Sequence, residues 1–183
     1  MKEKEKKDRY ADYRKNADGS YEYTGVLYRY DDSMISWKKA LTRLWTCTGA
    51  CVLLETAAGC IPATGMVRTL YVLIPYIIGY CVTLYLCYKM IELSFSDKDL
   101  KEKIYDKTCG SFGAVTLVIK VMLAAGAAGE ILRLFLETET KLTASLTVTG
   151  LLAMAFLMVY LFEQAESLMK FDRIEGKTAE NNK

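Results

Sequence analysis

Gly110 to Gly129 reads GSFGAVTLVIKVMLAAGAAG, and every residue in it is apolar or small except Lys120 at its centre. A helix of this length rises about 30 Å, the thickness of a bilayer's hydrocarbon core. An ionisable group at mid-depth is expensive in lipid and belongs against protein. Three further apolar stretches of similar length occur in the chain. The expected fold is therefore an all-α integral membrane four-helix bundle in up-down-up-down order.

Working outward, the spans are expected at about 40–61, 69–92, 111–136 and 142–162, within a membrane domain covering 40–166. Lys38, Lys39 and Arg43 with Trp37 and Trp45 form a basic and aromatic anchor at the start of the first span. The link PATGMVR has room only for a tight reversal, so the first two spans should be antiparallel neighbours. The second span contains Pro75, which should kink the helix or free a carbonyl one turn earlier. Tyr76 and Tyr80 lie one turn apart near mid-depth, so their hydroxyls need partners. In the connection 93–110, Ser96 is the expected N-cap, and Leu100 with Ile104 makes a short apolar stripe. That pattern predicts a brief amphipathic helix on the membrane surface.

Residues 1–39 are polar, with ten Lys/Arg against eight Asp/Glu. Asp18-Gly19 is a hairpin signal, and the pairs Tyr21/Tyr23 and Tyr28/Tyr30 alternate with polar residues. These four tyrosines are the candidates for docking another protein. Residues 167–183 read as a disordered tail.

At 52% hydrophobic and 25% charged the average resembles a soluble domain, but the charges are segregated into 1–43, 89–107 and 163–183. Of 24 Lys/Arg, all but Arg68, Lys120, Arg133 and Lys141 fall on the side holding both ends of the chain and the 89–107 connection. The positive-inside bias then places both termini in the cytoplasm of a multi-pass cell-membrane protein. The opening MKEKEKKDRYADYRKN has no apolar core of a signal peptide, so the first span should serve as its own targeting signal.

Several chemistries are excluded or lack support. A net charge of +2 carries no nucleic-acid signature. The chain has no histidine, which removes imidazole bases, metal ligands and bis-histidine haem sites. Its six cysteines contain no C-x-x-C pair, and no metal or cofactor is expected. Glu-Gly-Lys-Thr at 175–178 imitates the end of a phosphate loop, but position 171 is Phe171 rather than the required glycine. No nucleophile has a base at its depth, so no enzyme activity is expected.

Four charges in or near the spans are the candidate site: Glu55, Lys120, Glu130 and Arg133. Counting by three and four from Glu55 reaches Thr48, Cys51, Ala58 and Gly59, a small face that turns Glu55 into the bundle. Glu55 and Lys120 have similar depths, which predicts an ion pair between the first and third spans. Glu130, Arg133 and Glu137 form an expected ion-pair ladder near the far interface. The preferred function is an accessory or interaction subunit, bound to the bilayer and to another membrane protein or a second copy. The alternative is a small oligomeric transporter or channel working through a Glu55/Lys120 pair.

Overall fold

Four long helices carry the fold because each repeats its inward residues at alternating spacings of three and four. The described residues are 13–15, 19, 21–61, 69–136 and 142–174 of a computed structural model. Helix α1 spans Trp37–Gly59 and buries Ala40, Leu44, Thr48, Cys51, Glu55 and Ala58. Helix α2, Leu70–Ser94, buries Val72, Gly79, Thr83, Leu86, Met90 and Leu93. A six-residue helix α3, Glu102–Lys107, precedes α4, Cys109–Leu136, whose buried set runs from Phe112 through Thr116, Ile119, Leu123 and Gly126 to Glu130. Helix α5, Leu142–Ser167, buries Ser145, Val148, Leu152, Ala155, Val159 and Phe162. A mean spacing of 3.5 is the seam of helices packed at shallow angles, knobs into holes.

The helices close into a ring in chain order: α1 packs on α2, α2 on α4, α4 on α5, and α5 back on α1. Helices α1 and α4 lie across the ring from one another and share no principal seam. The outward faces are largely apolar, with Ile74, Ile77, Leu117, Val121, Leu146 and Leu157 among the exposed side chains. Three segments are long and apolar enough to cross a membrane: Leu70–Ser94, Glu102–Leu136 and Leu142–Ser167. Helix α1 is long enough but is not among them. Lys38, Lys39, Arg43 and Glu55 dilute its hydropathy.

Pro75 sits in the second turn of α2, and the helix runs on through it. The bond it removes is the one that the Tyr71 carbonyl would accept, so that carbonyl lacks its intrahelical donor, as the sequence leads one to expect. The link 62–68, the segment 137–141 with Glu137 and Lys141, residues 1–12 and the stretch 175–183 lie outside the described residues.

The structure departs most from the expected all-α fold at the end of the bundle where α1 starts and α5 stops. Strand β3, Leu27–Tyr30, is the centre of an antiparallel sheet between β4, Asp99–Lys101, and β5, Phe171–Ile174. The second tyrosine pair thus lies in a different sheet from the first. Strand β2, Tyr21–Tyr23, pairs antiparallel with β1, Tyr13–Lys15, on the two sides of the Asp18-Gly19 signal, and Gly19 takes a left-handed φ of 86°. Leu100 is buried within β4, and α3 begins only after Lys101, so the connection docks on β3 rather than running as a helix from Ser96. The expected tail likewise contributes β5, and α5 continues to Ser167.

Alternation along β3 leaves Arg29 exposed and turns Tyr28 and Tyr30 toward the helices. Tyr28 stacks on Tyr105 with ring centroids 4.0 Å apart. Tyr30 is 4% exposed, meets Trp37 and Phe171 edge to face, and donates its hydroxyl hydrogen to the Ile35 carbonyl at 2.8 Å. Two surface pairs fasten the sheet edge. Arg29 binds Asp99 at 2.8 Å and holds its carboxyl below the usual carboxylate range. Lys98 binds Asp32, whose carboxylate also caps α1 by accepting from the Trp37 backbone N–H, and both bonds hold Asp32 low. Exposed pairs of this kind contribute little to stability and mainly set register.

Candidate functional site

The ring places the candidate charges in three separate polar clusters, each bridging two neighbouring helices. Lys120 stands one residue from the α4 seam position Ile119 and is half-buried. Its ammonium lies 2.8 Å from the Glu163 carboxylate of α5, which also accepts from Thr116 Oγ1 at 2.7 Å. The expected pair of Lys120 with Glu55 is not made. One reason is the ring, since α1 and α4 are diagonal. The other is side-chain direction, because a helical Cβ tilts toward the helix N-terminus. Lys120 is eleven residues beyond Cys109, about 16 Å along α4, and its stem carries the charge back toward the sheet end. Glu163 waits there, four residues before Ser167.

Toward the opposite end, Glu130 and Arg133 are not an interfacial ladder. Their side chains are 0% and 3% exposed, and they pair at 3.2 Å. Ser145 of α5 donates to the same carboxylate oxygen of Glu130 at 2.8 Å, and Glu137 falls outside the described residues. A buried pair with an added hydroxyl donor is the arrangement in which Coulomb attraction can offset desolvation.

Glu55 occupies the α1/α2 seam and is fully buried. Its Oε1 is 3.1 Å from Thr83 Oγ1. The Tyr76 hydroxyl reaches this residue too, but at the backbone, donating to the Glu55 carbonyl at 2.8 Å. Tyr80 pairs with Thr56 at 3.2 Å, so both mid-depth tyrosines find partners across the same seam. A side chain at Gly59 would overlap the Tyr76 hydroxyl, which is why that helix end carries none.

Thr83, Thr116, Ser145 and Glu163 are the partners that sequence reasoning missed. Glu163 had a usable signal, namely depth corrected for the backward tilt of Lys120. The hydroxyl partners had none, because small polar residues recur on every face. At the sheet end Lys89, 2% exposed, donates to the Lys107 carbonyl, and Lys107 binds Glu92 at 2.7 Å.

Among the described residues no group of three His, Cys, Asp or Glu side chains is placed to hold a metal ion, and the cysteines are free thiols. Two of the clusters neutralise charge, Lys120 with Glu163 across the α4/α5 seam and Glu130 with Arg133 along α4. Lys120→Met and Glu163→Gln should each destabilise the protein by about 1–2 kcal/mol, and the double variant should recover most of that loss. Unfolding of the three variants in mixed detergent micelles measures it, and strictly additive losses would mean that the two side chains are not coupled. No family model, curated protein or solved structure matches this chain.

Proposed function

We propose that this is a non-catalytic, multi-pass membrane protein that joins a larger membrane assembly through the outer face of α5, with α1 as a fourth span and both termini cytoplasmic. One observation carries the reading. Thr143, Thr147 and Gly150 lie one above another on an outward face of α5, while Leu146, Met154, Phe156, Leu157 and Tyr160 are large exposed side chains on the same helix. A side chain built at Gly150 would meet nothing within 4 Å, so nothing inside this chain requires a small residue there. In lipid, small residues permit close backbone approach, and helix association depends on such contact. The interior supports an assembly role as well. Lys120 and Glu163 neutralise one another, as do Glu130 and Arg133, and the transporter alternative loses the Glu55/Lys120 pair on which it rests.

Gly150→Leu tests the proposal. It should leave unfolding stability within about 0.5 kcal/mol, as surface changes do, and should abolish co-purification of the partner from gently solubilised native membranes. A stable Gly150→Leu protein that retains its stoichiometric partner would remove α5 as the interface. A protein that migrates alone at natural expression level, with or without the substitution, would remove the assembly reading. The cytoplasmic placement is checked by labelling a cysteine put at Asp97, which should resist impermeant reagents outside intact cells.

A further inference from the structure

We propose that Glu55 is a proton-binding site, holding a neutral carboxyl at physiological pH, and that it is the carboxyl of this bundle that a hydrophobic carbodiimide modifies. Too few hydrogens surround Glu55 to satisfy a carboxylate. Thr83 Oγ1 has two oxygen neighbours, the Gly79 carbonyl at 3.0 Å and Glu55 Oε1 at 3.1 Å, with the Cys51 sulfur also beside it, and it has one hydrogen to give. A carbonyl can only accept, so when Thr83 donates to Gly79 the contact with Glu55 is a hydrogen bond only if the carboxyl supplies the hydrogen. The other hydrogens around the site are spent on carbonyls too. Tyr76 donates to the Glu55 backbone oxygen at 2.8 Å, and the Cys51 thiol points at the Ala155 carbonyl at 3.8 Å. Glu55 Oε2 is buried and no donor among the described residues reaches it.

No charge on the facing elements changes this count. The titratable neighbours are Cys51 on α1 itself and Tyr76 and Cys87 on α2. Helix α5 presents Ala155, and on α4 the nearest cation, Lys120, is held by Glu163. A carboxylate in this position would be fully buried with one shared donor and no counter-ion, an arrangement that proteins avoid by keeping the proton. Glu130 and Glu163 differ in kind, since each is bonded to a cation. Helices α1 and α2 share the thinnest of the four seams, so the proton on Glu55 also holds that seam closed.

Dicyclohexylcarbodiimide reads the proton directly. The carboxyl O–H adds across one C=N bond: oxygen bonds to the central carbon and the proton moves to nitrogen, giving an O-acylisourea. Acyl migration from oxygen to nitrogen then gives a stable N-acylurea, and the whole reagent is retained with nothing leaving. In membranes at neutral pH, intact mass should show one reagent per chain, mapped to Glu55 and lost in Glu55→Gln. A chain that stays unlabelled, or is labelled only at another carboxyl such as Glu130, Glu163 or the half-buried Glu166, overturns the proposal. Infrared difference spectra of wild type against Glu55→Gln give a check that does not depend on reagent access. Loss of a protonated-acid carbonyl band supports the site, and loss of carboxylate bands overturns it. Neither readout depends on whether a partner binds α5.

Discussion

Arg133→Met is expected to destabilise the bundle by about 3–5 kcal/mol, the largest effect of any single charge change in the chain. Glu130 is fully buried and its pair with Arg133, 3.2 Å apart, is the most enclosed ion pair described in the chain. Removing the guanidinium takes away the cation paired with Glu130, whereas the bond from Ser145 at 2.8 Å brings no charge. Glu130→Gln should cost less, because the amide oxygen still accepts from Ser145 while the desolvated Arg133 keeps its other interactions. The double change Glu130→Met/Arg133→Met should return most of the loss, since well-packed apolar replacements of a buried pair are often neutral or stabilising. Unfolding in mixed micelles of wild type, Arg133→Met, Glu130→Met and the double variant measures the cycle, with Glu130→Gln beside them. Single costs below about 1 kcal/mol would show the pair to be solvated at the bundle end, as an interfacial ladder would be.

The bundle was legible because its signal repeats. The spacing that takes Glu55 to Thr48, Cys51 and Ala58 is the spacing of the α1 seam, and the same period runs through α2, α4 and α5. Four long helices at nearly the expected places follow from that pattern alone. The sheet carries no comparable signal. Strand β4 is Asp-Leu-Lys and β5 is Phe-Asp-Arg-Ile, each shorter than any window in which alternation can be counted. Their pairing joins Arg29 to Asp99 and to Asp172, contacts fixed by how the helices bring distant segments to one end. Local patterning specifies elements, whereas long-range pairing depends on the assembled fold.

The site divides in the same way. That Glu55 faces inward, and that Lys120 needs a protein partner, both follow from periodicity and from the cost of charge in an apolar layer. Which partner it finds depends on ring order and on the tilt of Cβ, and neither is a property of a single helix. Depth counted along the axis favours Glu55 for Lys120. Adding the ring and the tilt selects Glu163, whose helix is adjacent and whose carboxylate lies on the side to which the lysine stem leans.

Tyr30→Ala should cost about 3–4 kcal/mol of stability, because truncating a buried aromatic removes its transfer energy and opens a cavity. Tyr30 joins the sheet to the bundle, with its ring centroid 5.0 Å from Trp37 and 5.5 Å from Phe171. Tyr30→Phe keeps the ring contacts and loses only the bond to the Ile35 carbonyl, so about 1 kcal/mol is expected. Tyr21 is 65% exposed, and Tyr21→Ala should stay within about 0.5 kcal/mol of wild type. The comparison separates two roles for a tyrosine at the sheet end of the bundle. A side chain used for docking can be removed without loss of stability, whereas one that closes the sheet onto the helices cannot. On this reading Tyr21 remains available to a partner, and Tyr30, expected from its sequence pattern to dock one, is committed to the fold. Unfolding midpoints set beside co-purification yields decide the matter. A Tyr30→Ala protein as stable as wild type yet stripped of its partner would return Tyr30 to the docking surface, and would mean that Trp37 and Phe171 hold the sheet without it.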